Sequence, residues 1–292
     1  MRLPPATALA LTAFPVALSA GPALAQRVPF ERTLDVPPGV AVDVTTRRGK
    51  IEVTAGAPGK VVVGGAATVR IGPAVPADAL KLAEAFAANP AIEQHGAAVR
   101  LTPPADEAQR RAITVNYTLR VPPDTKLVTT SDSGATTVTG VAGPVSTTTQ
   151  SGAIELRGLG GDVQVRSGSG AVAIDVAGGG SVDVETGSSA IDVTGVRGAV
   201  RTVTRSGHTK VRGTAGAPWD VQTGSGAITA AIGGAGDFGL DAVSGSGSVK
   251  VHGMQAPGTS TDRAVTIEAA RGGPLVRLRS RSGSITLDKT SP

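Results

Sequence analysis

The residues in this chain that could do chemistry are few and widely spaced. There is no cysteine, which removes disulfides, thiolate metal sites, thiol catalysis and lipid attachment through sulfur. The three histidines, His95, His208 and His252, lie in different segments. His208 follows Gly207 in a slot where comparable stretches carry Ala, which suits a surface residue better than a base or ligand. Six acids fall between residues 134 and 196: Glu155, Asp162, Asp175, Asp183, Glu185 and Asp192. Paired carboxylates flanked by stacking aromatics are what sugar-processing sites need. Aromatics make up only 2% of the chain, and a stripe of solvated carboxylates is the ordinary outcome of such a pattern. Gly234 to Gly239 fits Gly-x-Gly-x-x-Gly, but the following Leu240-Asp241-Ala242-Val243 continues as strand rather than as the helix a dinucleotide site requires. Gly178 to Asp183 and Gly233 to Asp237 resemble fragments of calcium-binding β-roll repeats, without the spacing or the series. No cofactor or metal site is expected, and no catalytic residue is assigned. One row remains. Arg277, Arg279 and Arg281 alternate with Leu278 and Ser280, so a strand would aim all three guanidiniums to one side. Few acids surround them in sequence, and other bases (Arg263, Arg271, Lys289) lie nearby. They are candidates for binding an anion. The alternative is a charged edge that keeps the last coil from pairing with another molecule.

The elements that must carry these residues are set by a repeat. Ser-Gly followed by alternating apolar residues recurs at Ser133, Ser151, Ser169, Ser206, Ser225, Ser246 and Ser282, with Ser188-Ser189 as a degenerate copy. The steps are 18, 18, 19, 18, 19 and 21 residues, and the last, 36, reads as two steps with a worn copy near Ala264. A fixed period near 20 residues is the mark of a solenoid, in which each coil buries its apolar side by stacking on its neighbours. Within one period, Ile154/Leu156 and Val163/Val165 form period-2 pairs with polar residues between them. Each coil therefore has two short strands. Trp219 aligns with inward Val200 and reads as core filling. A hydroxyl residue stands two positions before each corner serine: Ser131, Thr149, Ser167, Thr186, Thr204, Thr223, Ser244 and Ser280. Stacked, these hydroxyls could hydrogen-bond from coil to coil. Steps of six from Ile154 reach Gly160 and Arg166, which excludes the left-handed hexapeptide solenoid. The general preference for right-handed crossovers then favours a right-handed coil. The expected fold is all-β: a parallel β-helix of about 18–19 residues per coil.

Three regions follow. Residues 1–25 read as a signal peptide, with Arg2 ahead of the apolar run Ala6 to Leu18 and Ala23-Leu24-Ala25 as the cleavage site before Gln26. Residues 26–130 read as a β-rich N-terminal cap with one short helix, started by Pro76 and stopped at Asn89-Pro90. Residues 131–292 are the solenoid repeats. No later apolar run is long enough to span a bilayer as a helix. Charge is uneven: two basic against six acidic residues over 134–196, and twelve against six over 197–292. The basic end suits an anionic envelope polymer or cell-surface glycan as partner. Nucleic acid is not an expected partner.

Arg-Gly-Lys-Ile-Glu-Val (48–53), then Tyr-Thr-Leu-Arg-Val-Pro (117–122) leading into Leu-Val-Thr-Thr-Ser-Asp-Ser-Gly (127–134), then the serial Ser-Gly coils, resemble the bacterial putative-adhesin family of exported β-helical domains. The resemblance implies an envelope protein with a β-solenoid and no assigned activity, and the expected role is an exported non-catalytic binding or structural module, periplasmic, cell-surface or secreted. It brings no catalytic residues. A polysaccharide lyase or hydrolase on a right-handed β-helix is the alternative, and it rests on fold analogy alone.

Overall fold

The computed structural model describes residues 26–72, 75–234, 237–254, 258–269 and 272–290. The leader expected over residues 1–25 lies outside the described residues. Alternating apolar and polar residues produce two long sheets, with twelve strands in sheet A and thirteen in sheet B among the described residues. The coil Val145–Ser151 (sheet B) to Ile154–Leu159 (sheet A) shows the unit. Its strands pair in parallel with those of the next coil, Val163–Ser169 and Val172–Val176. The register joins Val145, Val163, Val182, Val200 and Trp219 in one inward column. Ile154, Val172, Ile191, Thr209 and Ile228 form the facing column. All ten are buried. At roughly 1.5–3 kcal/mol for each large apolar side chain removed from water, these columns are the main source of cohesion. The alignment of Trp219 with Val200 and of Val163 with Val182 is as the repeat predicts.

The corner glycines are required by close stacking. A Cβ on Gly152 would lie 2.2 Å from the Gly134 carbonyl oxygen, and one on Gly170 would lie 2.2 Å from that of Gly152. The second hydroxyl column is buried at this corner, from Ser131 to Ser280. Thr186 and Thr204 bond to each other across coils at 3.0 Å. More often the hydroxyl donates to corner backbone, as Ser280 does to the Gly226 carbonyl at 3.1 Å and Ser244 to that of Gly283 at 2.8 Å. The column therefore stitches corner backbone as well as linking side chains.

Coil order in space departs from coil order in sequence at both ends. In the middle, coils 126–139, 145–159, 163–176, 182–196, 200–213 and 219–232 stack in succession. The coil next to 219–232 is 275–289, and 239–252 lies outside it. The 36-residue step is therefore one coil out and one coil back. It is not two periods: Ala264–Ile267, expected as a worn copy, runs antiparallel to Gly239–Ser244 with Gly258–Ser260 beside it. The N-terminal end mirrors this. Strands Ala41–Thr46 and Ile51–Ala55 form the coil that stacks on 126–139. Outside it lies a coil made later in the chain, from Ala98–Leu101 and Ile113–Val121.

Helix α1, Ala79–Ala88, closes this end and buries Ala79, Ala83, Phe86 and Ala87. Phe86 meets Phe30 edge-on at 5.9 Å, and Phe30 meets Tyr117 at 6.2 Å. The helix stops at Asn89, before Pro90. A second helix, α2 (Glu107–Ala112), was not expected. Asp106 caps it by accepting from the Ala108 and Gln109 amides at 3.3 and 3.2 Å. Asp106 with Gln109 three residues on is the sequence signal that marks such a start. No helix among the described residues is long and apolar enough to cross a membrane.

Candidate binding face

The outward side chains of sheet B form ladders across the coils. One runs Gln164, Asp183, Arg201, Asp220, Arg277, Asp241, and its neighbour runs Arg166, Glu185, Val203, Gln222, Arg279, Val243. Opposite charges meet between adjacent coils: Asp183 with Arg201 at 3.0 Å and Arg166 with Glu185 at 3.7 Å. These pairs are well exposed, so each contributes little to stability.

The six acids of residues 134–196 do not form one stripe. Asp183 and Glu185 belong to sheet B, while Glu155, Asp175 and Asp192 belong to sheet A. Glu155 pairs with Arg157, and Asp192 lies 3.7 Å from Arg212. Asp175 accepts from the Thr194 hydroxyl at 3.1 Å, and Asp162 from the Ser181 amide at 2.8 Å. Five of the six are engaged in bonds between coils, and Glu155 is paired within its own strand. The histidines stay apart and exposed, and no group of three or more potential metal ligands occurs among the described residues.

The arginine row is placed as the alternation predicts, with Arg277, Arg279 and Arg281 pointing outward from Leu275–Ser282. Its surroundings differ from the expectation of few acids. Asp241, brought alongside by the interleaved coil, lies 3.6 Å from Arg277 and 2.7 Å from Arg279. Asp220 faces Arg277 from the other side. The strand is also flanked on both sides, so these arginines do not guard an edge. Arg271 lies outside the described residues. Arg281 has no ion-pair partner among the described residues, and neither has Arg205. Arg205, Gly224 and Arg281 occupy one level of the ladder, between the paired Thr204/Thr223/Ser280 and Ser206/Ser225/Ser282. Gly224 separates the two arginines, and a Cβ added to it would lie 2.5 Å from the Arg205 carbonyl oxygen. A groove of about 640 Å³ runs here, lined by Arg205, Arg279 and Arg281 with Glu185, Gln222 and Val243. Arg205 was missed in the sequence because Gly224, in the coil between, interrupts the pattern. A second groove of about 620 Å³ lies on the same sheet toward the N-terminal coils, over Val128, Ser146, Gln164 and Asp183. Together the grooves make sheet B the candidate face.

The Toastrack DUF4097 family matches residues 108–288. Among solved structures, a putative adhesin from Bacteroides fragilis is similar at 15% identity, over 90% of this chain and 97% of that one, with a TM-score of 0.41. A putative cell adhesion protein from Clostridium sporogenes is similar at 9% identity, over 90% and 100%, with a TM-score of 0.33. A putative lipid binding protein from Parabacteroides distasonis is similar at 11% identity, over 90% and 96%, with a TM-score of 0.32. No curated protein matches the sequence.

Proposed function

We propose that this chain, which belongs to the Toastrack DUF4097 family, is an exported, non-catalytic binding module of the cell envelope. The observation that carries this reading is the division of labour among charged groups. Five of the six acids of residues 134–196 are held in coil-to-coil bonds, while Arg205 and Arg281 have no ion-pair partner among the described residues and line the sheet B groove. A groove with two free guanidiniums suits an extended anionic polymer, such as lipopolysaccharide or a teichoic-type chain. It holds such a chain weakly, and the attraction falls as salt screens it. Arg277 and Arg279, shared with Asp241, contribute less than Arg281. Export is supported by the leader pattern of residues 1–25. Cleavage before Gln26 leaves the first strand whole, with the Gln26 carbonyl accepting from the Val69 amide at 2.8 Å.

The test is the double variant Arg205→Gln, Arg281→Gln. Envelope retention should fall severalfold at low salt and converge with that of the unsubstituted protein at moderate salt. Retention that does not change removes the groove as the binding site. Turnover of any polysaccharide by the purified protein would support the enzyme reading instead. Sequencing of envelope-derived protein should start at Gln26, and intact Met1 on cytosolic protein would defeat export.

A further inference from the structure

In an ordinary coil only two residues turn the corner from sheet B to sheet A, as Gly152 and Ala153 do between Ser151 and Ile154. In the outermost N-terminal coil the same corner runs from Thr102 to Ala112 and includes α2. The coil beneath it carries Arg48-Gly49 where the next has Ser133-Gly134, because Ile51 pairs with Thr136. Gly49 has no room for a side chain: an added Cβ would lie 1.6 Å from the Val115 carbonyl oxygen. Arg48 thus stands at the head of the corner-serine column, beside the enlarged turn.

Between the two lies a cavity of about 260 Å³. Five arginines line it, Arg47, Arg48, Arg70, Arg110 and Arg111, against one acid, Glu107. Pro103 and Pro104 supply an apolar wall, and Ile113, Val115 and Tyr117 line it from the sheet. Two of the five charges are matched, Arg47 by Asp132 at 3.4 Å and Arg111 by Glu107. Arg70 donates to the Arg111 carbonyl at 3.1 Å, and Arg110 to the carbonyls of Pro104 at 3.1 Å and Ala105. Those bonds orient the two guanidiniums without neutralising them. Arg48 has no partner among the described residues. Arginine does not give up its proton, so three unmatched guanidiniums lining one cavity favour an anion there. Tyr117 supplies none: burial pushes its phenol well above the ordinary tyrosine value, and its hydroxyl donates to the Thr102 carbonyl at 3.3 Å.

We propose that this pocket is a second ligand site, separate from the sheet B groove, which takes a phosphate monoester on a small, partly apolar body. Three unmatched guanidiniums call for a dianion with several terminal oxygens, which a phosphate monoester offers and a single carboxylate does not. The volume lies below the roughly 300 Å³ at which drug-sized sites begin, which fits one headgroup or one phosphorylated sugar and not a polymer. The proline wall suits the body that carries the phosphate. A lipid headgroup and a free sugar phosphate share this chemistry.

Calorimetry with glucose 1-phosphate, with glucose as control, and flotation with phosphatidylcholine vesicles with and without phosphatidic acid test the site on the whole mature protein. We expect binding of the phosphate ester and none of glucose. Arg48→Gln should weaken it at least ten-fold, and Arg48→Lys, which keeps charge but loses the planar fork, by an intermediate factor. Binding of the soluble ester assigns the site to free sugar phosphates. Binding only to phosphatidic acid vesicles, lost in Arg48→Gln, assigns it to a lipid headgroup. The proposal is overturned if neither probe binds, or if Arg48→Gln, checked for folding by its melting curve, binds as the unsubstituted protein does. Arg281→Gln should leave this binding unchanged, so failure here and failure of the groove reading are told apart.

Discussion

Between residues 126 and 232 each coil stacks on the one made just before it, whereas at the ends stacking order and chain order part: the position inside the outermost coil is filled first at the N-terminal end, by 41–55, and last at the C-terminal end, by 275–289. The middle coils depend on two neighbours through one repeated register, as in other linear repeat arrays. Each end instead holds a late or early piece of chain between two others, so that piece cannot fray until a second ladder opens. The ends also differ from each other. The N-terminal coil is covered by the antiparallel strands Arg27–Asp35 and Lys60–Val69 and plugged by α1 with its aromatic contacts. At the C-terminal end, sheet B is covered by Ala264–Ile267 and Gly258–Ser260, while sheet A ends in the four-residue strand Val249–His252 with Lys250 and His252 exposed. A short, charged edge is a common way to discourage unwanted pairing.

The difference between middle and ends can be broken most severely by deleting the chain from Leu275 onward. Coil 219–232 then loses one of its two neighbours and coil 239–252 its parallel one, and Trp219, 1% exposed in the intact protein, should become solvated. A red-shifted tryptophan emission checks this. Unchanged emission would mean that successive stacking, not interleaving, holds at this end. In the middle, Val182→Asp places an uncompensated charge in a column that is 1% exposed at that residue. It should cost about 4 kcal/mol or more by denaturant unfolding. Gln164→Asp, one ladder level away on the outer face, should cost under about 0.5 kcal/mol. Equal losses would void the assignment of faces. The smallest effect belongs to Asp241→Asn, which frees Arg277 and Arg279. Stability should fall by less than about 1 kcal/mol, while retention on an anionic polymer should rise as two further guanidiniums become available. Lower retention would show that Asp241 positions the arginines rather than occupying them.

The coil itself was legible because it is a local matter: alternation in Val163 to Val165 and the Ser-Gly corner fix strands and turns within one period. Trp219 could be placed against Val200 for the same reason. The interleaving was not legible, because every coil carries the same phrase and nothing in the phrase says which copy is its neighbour. Hence Ala264 was read as a worn coil, although Val265 and Ile267 face inward from an antiparallel strand. The same blindness hid Asp241 from Arg279, which lie next to each other across strands yet 38 residues apart in the chain. The capped start of α2 at Asp106 was readable but short. Arg48 could be recognised as a corner-serine replacement only once Ile51 was paired with Thr136.

The interleaved C-terminal end also has a direction in time. A chain made from its N-terminus presents residues 239–252 before 275–289 exist. Until then Val249–His252 has no strand to pair with, and Gly239–Ser244 has only the antiparallel Ala264–Ile267. The last coil therefore behaves as a latch. The final strands are what join coil 239–252 to coil 219–232, so a chain cut short near its end leaves coil 239–252 unfastened rather than leaving a slightly shorter rod.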